Sequence, residues 1–144
     1  MLINVLIWQL NNKILTNHAK TRAIGLLGAF RAGEAVETLL KDINFKDETL
    51  YPPSAIAPDN YTARMALINI GLPASNAILS SIQTQSKALP FNESRAEGYA
   101  KVLFSIEGPR YGLLKLQDRQ KEATDPAIKA QFQLVIDQFE EIAK

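Results

Sequence analysis

Cysteine is absent from this chain of 144 residues, and histidine occurs only once, at His18. The missing cysteines exclude a disulfide framework, a thiolate metal site and a cysteine nucleophile. The single imidazole excludes any site that needs several histidine ligands from one chain. Phosphate-binding glycine motifs and a G-x-S-x-G nucleophile motif are missing as well. We therefore predict no catalytic residue, no metal site and no cofactor.

Acidic side chains are missing from the first part of the chain. Residues 1–33 contain the cations Lys13, Lys20, Arg22 and Arg31 and no acid. The whole chain has 16 basic and 15 acidic side chains, for a net charge of +1. This near-neutral total excludes a globally basic nucleic-acid binder. Weak nucleic-acid binding through the basic first third stays an alternative, although four scattered cations would neutralise few phosphates.

No hydrophobic run is long enough to span a membrane, which needs about 20 mostly apolar residues. The most apolar stretch is 1–10, with eight apolar residues in ten. It lacks the features of a signal peptide, so we expect a cytoplasmic protein by default, or an exported one if a leader has been removed. We predict a capping helix over 2–14 with Trp8 in the core. Because this helix is apolar nearly all round, self-association through it is a further hypothesis.

Apolar segments of helical length recur along the chain, and a glycine follows each of them. Gly33, Gly71 and Gly108 lie 38 residues apart (from 33 to 71) and 37 residues apart (from 71 to 108). Glycine suits the left-handed backbone that ends helices, and Pro73 and Pro109 suit the first turn of the helices that follow. Apolar residues at i, i+3, i+4 and i+7 give each helix one buried stripe. The pattern predicts eight helices and no strand, over residues 2–14, 18–30, 34–43, 60–70, 73–84, 94–106, 109–121 and 126–143.

Individual residues predict how some of these helices begin and meet. Residues 94–97 (SRAE) match a capping box, and Asp125 followed by Pro126 matches an N-cap with proline at the first helical position. Gly25 and Gly28 lie inside a predicted helix, where we expect them to let a neighbouring helix approach closely.

The repeating unit is a helix–turn–helix present three times in one predicted domain, 1–144. Such helix pairs cannot bury their apolar stripes alone, and stacking them gives a continuous core closed by atypical end helices. The predicted parts are repeats at 18–43, 60–84 and 94–121 and capping helices at 2–14 and 126–143.

Three segments carry a resemblance to a known family: 23–43 (AIGLLGAFRAGEAVETLLKDI), 66–82 (ALINIGLPASNAILSSI) and 102–116 (VLFSIEGPRYGLLKL). They resemble HEAT-like repeats of the short bacterial type, a group that includes phycobilisome-lyase-type proteins. The resemblance implies an all-α fold, an α-α superhelix or solenoid that binds other macromolecules. Two residues depart from the family pattern, since Glu107 precedes Gly108 and Lys115 stands where leucine is expected.

We therefore expect a non-catalytic protein–protein interaction scaffold whose partner is a protein of unknown identity. The resemblance implies that the second helix of each pair lines a concave face. Arg110 and Tyr111 stand together after Pro109, and both residue types are enriched at interface hot spots. The alternative is an enzyme or enzyme subunit of the bilin-lyase type, for which no set of residues argues. The candidate contact residues on second helices are Glu37, Lys41, Asn76, Ser80, Arg110 and Tyr111.

Residues 44–58 (NFKDETLYPPSAIAP) form the most irregular segment and contain three prolines. Long loops between helices are often functional. Tyr51 and the two prolines after it are compatible with polyproline II structure. Two interpretations stay open, a proline-stiffened spacer and a loop that contacts the partner through Tyr51.

Overall fold

A computed structural model describes residues 2–47, 61–84 and 91–144 of the chain. Every regular element in these ranges is helical, so the prediction of an all-α fold is confirmed for them. The elements are α1 (Leu2–Asn11), α2 (Asn17–Ala29), a 3-10 turn (Gly33–Ala35), α3 (Val36–Lys41), α4 (Thr62–Ile70), α5 (Leu72–Ile82), α6 (Glu93–Glu122) and α7 (Pro126–Ala143).

The chain divides into two compact units, Met1–Gly71 and Leu72–Lys144. In the first unit α1 packs against α2 and α3, and both of those helices pack against α4. In the second unit α6 packs against α5 and α7. The largest fully buried side chains include Ile24, Leu27, Leu39 and Leu67 in the first unit and Ile78, Tyr99, Leu103, Phe132 and Phe139 in the second. That the two units form one domain over 1–144 stays a prediction.

Two of the three repeat glycines have the positive φ expected of them. Gly71 has φ 87° and ψ −134° and separates α4 from α5. Gly108 has φ 84° and ψ 169° and breaks α6 directly before Pro109. We call the segments on either side of this break α6a (93–107) and α6b (109–122), and they correspond to the two helices predicted there. Both glycines have an extended rather than a left-handed helical ψ, in a region almost reserved for glycine.

The third repeat glycine, Gly33, does not end a helix, so its predicted role is wrong. The positive φ at the end of α2 belongs to Arg31, at 50°. The Arg31 amide donates to the Gly28 carbonyl at 3.0 Å, and the Ala32 amide donates to the Leu27 carbonyl at 3.0 Å. These two bonds form a Schellman motif. Gly33 instead begins the 3-10 turn that leads into α3.

The helix starts confirm one predicted cap and overturn another. The Asp125 carboxylate accepts from the Ala127 amide at 2.8 Å, so Asp125 caps α7 ahead of Pro126 as predicted. The capping box at 94–97 is wrong, because α6 begins one residue earlier and Asn92 is its cap. The Asn92 side-chain oxygen accepts from the Arg95 amide at 2.9 Å.

Close approach of helices occurs at one of the two glycines predicted to allow it. A Cβ atom placed on Gly28 would lie 2.8 Å from Cα of Ala66, so α2 and α4 meet there backbone to backbone. Gly25 has nothing within 4 Å of such an atom and faces solvent, so the prediction is wrong at that position. A second close approach was not predicted, at Gly112, where a Cβ atom would lie 2.5 Å from Cζ of Phe139.

Helix α1 is less buried than its sequence suggests. It ends at Asn11 rather than at residue 14 and buries only Leu6 and Leu10. Trp8 is 58% exposed, so its predicted place in the core is wrong. Because α1 packs on α2 and α3 from one side, its opposite side faces solvent even though apolar residues lie there. Among the described residues no single helix is long and apolar enough to cross a membrane. Helices α4 and α5 reach that length and apolar composition only when the two are counted together.

Candidate interaction surface

Four of the predicted contact residues lie in the second unit, and all four are exposed. Asn76 and Ser80 lie on α5, and Arg110 and Tyr111 lie in the first turn of α6b. Tyr111 is 68% exposed, the largest exposed fraction among the exposed large hydrophobic side chains of the described residues. Nothing in the described contacts joins Arg110 and Tyr111 to Asn76 or Ser80, so these four residues form two separate candidate positions.

Helix α5 lies beside α6, with one polar contact to the last residue of α6a and one to α6b. Near its start, the Ser75 hydroxyl donates to the Glu107 carboxylate at 2.6 Å. Just past its end, the Arg119 guanidinium donates to the Gln83 side-chain oxygen at 2.8 Å. Between these contacts lies a groove of about 280 Å³. The residues that line this α5–α6b groove are Asn76, Leu79, Lys115, Asp118, Arg119 and Glu122.

The α6b wall of the groove is charged, with both signs represented. Lys115, Asp118, Arg119 and Glu122 follow one another at i, i+3, i+4 and i+7, the spacing of a single helix face. Leu79 of the opposite helix is the one apolar residue among those that line the groove, and it is buried. A uniformly anionic polymer would meet the two carboxylates in this groove, whereas a polypeptide segment can offer amides and charges of both signs.

Sequence analysis selected only Asn76 among the residues that line the groove. Lys115 was noted only as a departure from the HEAT-like pattern, and none of the four charged residues was selected as a contact residue. Their common spacing was the available signal, since a helix face made wholly of charges is unusual next to an apolar neighbour such as Leu79. Ser80 does not line the groove, although it lies on the same helix.

Glu107 and Lys115, the two departures from the HEAT-like pattern, are partners in the structure. Lys115 Nζ lies 2.7 Å from Oε1 of Glu107, which also accepts the bond from Ser75. The Glu107 side chain is 8% exposed and that of Lys115 is 37% exposed. Burial raises the pKa of Glu107, but the hydrogen bonds from Lys115 and Ser75 and the charge of Lys115 outweigh burial and leave this pKa below its ordinary value. The carboxylate thus holds the Lys115 ammonium at the wall of the groove.

Glu37 and Lys41, the two predicted contact residues of the first unit, lie exposed on α3. Tyr51 lies outside the described residues, as does most of the 44–58 segment. The start of that segment is tied to α4 by Arg64, which sequence analysis missed. Arg64 is 4% exposed, and its guanidinium donates to the Asn44 side-chain oxygen at 3.1 Å and, through Nε, to the Ile43 carbonyl at 2.8 Å. The same guanidinium stacks on the Tyr61 ring at 3.6 Å.

His18 lies exposed in the first turn of α2. Within the ranges that the structure describes, no group of three or more histidine, aspartate or glutamate side chains is placed to hold a metal ion. Comparison of the chain with protein-family models, with curated proteins and with solved structures found no match. The resemblance to HEAT-like repeats therefore depends on the sequence pattern alone.

Proposed function

We propose that this chain is a non-catalytic protein-interaction scaffold, built as a short α-α superhelix of HEAT-like repeats. In this proposal the α5–α6b groove binds a segment of a partner polypeptide. The observation that carries the proposal is the composition of the groove, where Asn76, Leu79 and side chains of both charge signs line one cavity. Arginine, represented here by Arg119, is enriched at protein interfaces, and the rim of such interfaces is polar.

The repeat architecture is supported by the register of helix contacts inside each unit. In the first unit Gly28 meets Ala66, 38 residues further on, which is also the interval from Gly33 to Gly71. In the second unit the contacts between α5 and α6 join residues 32 and 36 positions apart. In a pair of antiparallel helices, the number of residues between contacting positions changes steeply along the pair. The nearly constant interval in the second unit therefore favours parallel helices. Side-by-side stacking of equivalent helices is how helical repeats build a superhelix.

The test uses a random peptide library displayed on phage and selected against the full chain. Selected peptides are then synthesised, and their dissociation constants are measured by fluorescence polarisation. We expect Arg119→Glu and Asn76→Arg to weaken binding about tenfold or more, since each changes the charge or shape of the groove. The matched control is Lys129→Glu, the same reversal at an exposed position on α7, which should leave binding unchanged.

Two results would contradict the groove as the site. If Arg110→Ala with Tyr111→Ala abolishes binding while the groove variants do not, the site lies at the start of α6b instead. If selection returns no peptide that binds the folded chain, the scaffold proposal itself is wrong for the second unit.

A further inference from the structure

Among the described residues of the first unit, the exposed large hydrophobic side chains all come from the first 30 positions. They lie on α1, on α2 and in the residues that follow each helix. The described side chains of this kind are Leu2, Val5, Trp8, Ile14, Leu26 and Phe30. Leu2, Val5 and Trp8 share one face of α1 at i, i+3 and i+6, and Leu26 and Phe30 are spaced i and i+4 on α2 and its C-cap. We call this set, with the cations between its members, the α1–α2 surface.

The same stretch of chain contains cations and no acid. Lys13, Arg22 and Arg31 are exposed, and the first acidic residue of the sequence is Glu34. Lys20 has a partner already, because its Nζ lies 2.9 Å from the Asp42 carboxylate. Two independent properties thus coincide on one pair of packed helices. Apolar side chains are open to solvent, and residues 1–33 contain positive charges and no negative one.

We propose that the α1–α2 surface docks on a lipid membrane that contains anionic headgroups. The apolar side chains would enter the boundary between headgroups and acyl chains while the cations meet lipid phosphates and carboxylates. Stable attachment of a peripheral protein generally needs two such signals together, apolar insertion and a basic patch. Trp8 is well suited to this depth, since tryptophan is enriched at membrane–water interfaces. This proposal is independent of the peptide groove in the second unit.

Two other occupants fit this surface less well. A second copy of the chain in a two-fold dimer would bring the surface against itself, so its cations would meet like charges. A nucleic acid would use the cations, but it would leave Leu2, Val5 and Ile14 without a role. An anionic membrane uses both properties at once.

The experiment uses Trp8, the only tryptophan of the chain, as the probe. The full chain is titrated with phosphatidylcholine vesicles that contain or lack phosphatidylserine, while tryptophan emission and vesicle co-sedimentation are recorded. We expect a blue shift of emission and co-sedimentation with the phosphatidylserine vesicles, both reduced by salt. Neutralising Lys13 or Arg22 to glutamine should lower partitioning about fivefold each. Val5→Asp should lower it about thirtyfold or more.

The controls are the same changes made in the second unit, Leu134→Asp and Lys129→Gln, at exposed positions on α7. Circular dichroism checks that each variant is folded. Equal partitioning of the parent chain onto neutral and anionic vesicles, or loss of binding in the α7 controls, would overturn the proposal. A dimer in analytical ultracentrifugation that Val5→Asp dissociates, without vesicle binding, would assign the surface to a second copy. Binding to duplex DNA that Val5→Asp leaves intact, without vesicle binding, would assign the cations to nucleic acid.

Discussion

Gly25 and Gly28 lie in the same helix and in opposite surroundings, which makes them a matched pair for mutation. Gly28→Ala would place a methyl group against the backbone of Ala66, so α2 and α4 must separate. We expect it to lower the free energy of unfolding by about 1–3 kcal/mol. Gly25→Ala meets no atom within 4 Å and should raise this free energy by about 0.5–1 kcal/mol through helix propensity. Urea unfolding of both variants measures the difference, and shifts of the same sign would contradict the described contact.

At the level of single residues, sequence patterns predicted where glycine is needed more reliably than what each side chain contacts. Gly71 and Gly108 were identified correctly, because a helix end before a proline leaves few conformations. Arg64 was not identified as a buried cation, since its acceptor is the Ile43 carbonyl, 21 residues away. Trp8 was misplaced because hydrophobicity indicates that a side chain can be buried, but only packing decides whether a neighbour covers it.

At the level of helices, the contact of Glu107 with Ser75 and Lys115 ties α6a to both α5 and α6b across the break at Gly108. Because the pKa of Glu107 is lowered on folding, this carboxylate stabilises the fold above its unfolded pKa. The stabilisation is lost as pH falls through the folded pKa. We expect Glu107→Gln to remove that part of the acid sensitivity. At neutral pH it should lower the free energy of unfolding by about 1–2 kcal/mol, a value kept small because solvent screens the partly exposed Lys115.

Urea unfolding at a series of acidic pH values measures this effect. The control is Glu141→Gln, whose carboxylate pairs with Lys144 at 2.9 Å on the exposed last turn of α7. Solvent screens an exposed pair of this kind, so Glu141→Gln should change the free energy of unfolding much less than Glu107→Gln. An acid transition that is the same in Glu107→Gln and in the parent chain would contradict the role assigned to Glu107.

Helix positions were largely predictable, since periodicity and the glycine and proline residues are local signals. The described helices begin and end within about three residues of the predicted ones, which is the usual uncertainty of such boundaries. Helix α1 shows the largest difference, since it ends at Asn11 rather than at residue 14. Lys13, with φ 54°, ends the turn that follows α1. Lysine rarely adopts this conformation, and no sequence pattern predicts it here. The partnership of Glu107 with Lys115 was invisible for another reason, because it depends on how the break turns the chain.

At the level of the whole molecule, the division into two units predicts that residues 72–144 fold alone. Their fully buried side chains, Tyr99, Phe132 and Phe139 among them, belong to helices that pack against one another inside the second unit. We expect this fragment to keep a helical circular dichroism spectrum and to unfold cooperatively in urea. A gradual, non-cooperative transition would favour the single domain predicted from sequence over two autonomous units.

The candidate site was less predictable than the fold. The second helices were identified from their spacing, and Asn76 was selected among their polar positions. The charged wall of the groove depends on which face of α6b is turned toward α5. That orientation follows from the packing of Gly112 on Phe139 and from the contact between Arg119 and Gln83. Neither contact can be predicted from the local sequence, because each joins residues that are far apart in the chain.

The backbone at Gly71 and Gly108 has a consequence for the changes that this sequence can accept. Their φ and ψ values are close to the mirror image of an ordinary extended residue, so at these two points the chain has the handedness of a D-amino acid. No atom lies within 4 Å of where a side chain would begin at either glycine, so the surroundings leave room for one. What excludes the other encoded amino acids is chirality, and repacking of the neighbours cannot compensate for it. These two boundaries should therefore stay fixed in sequence even where the helices on either side change freely.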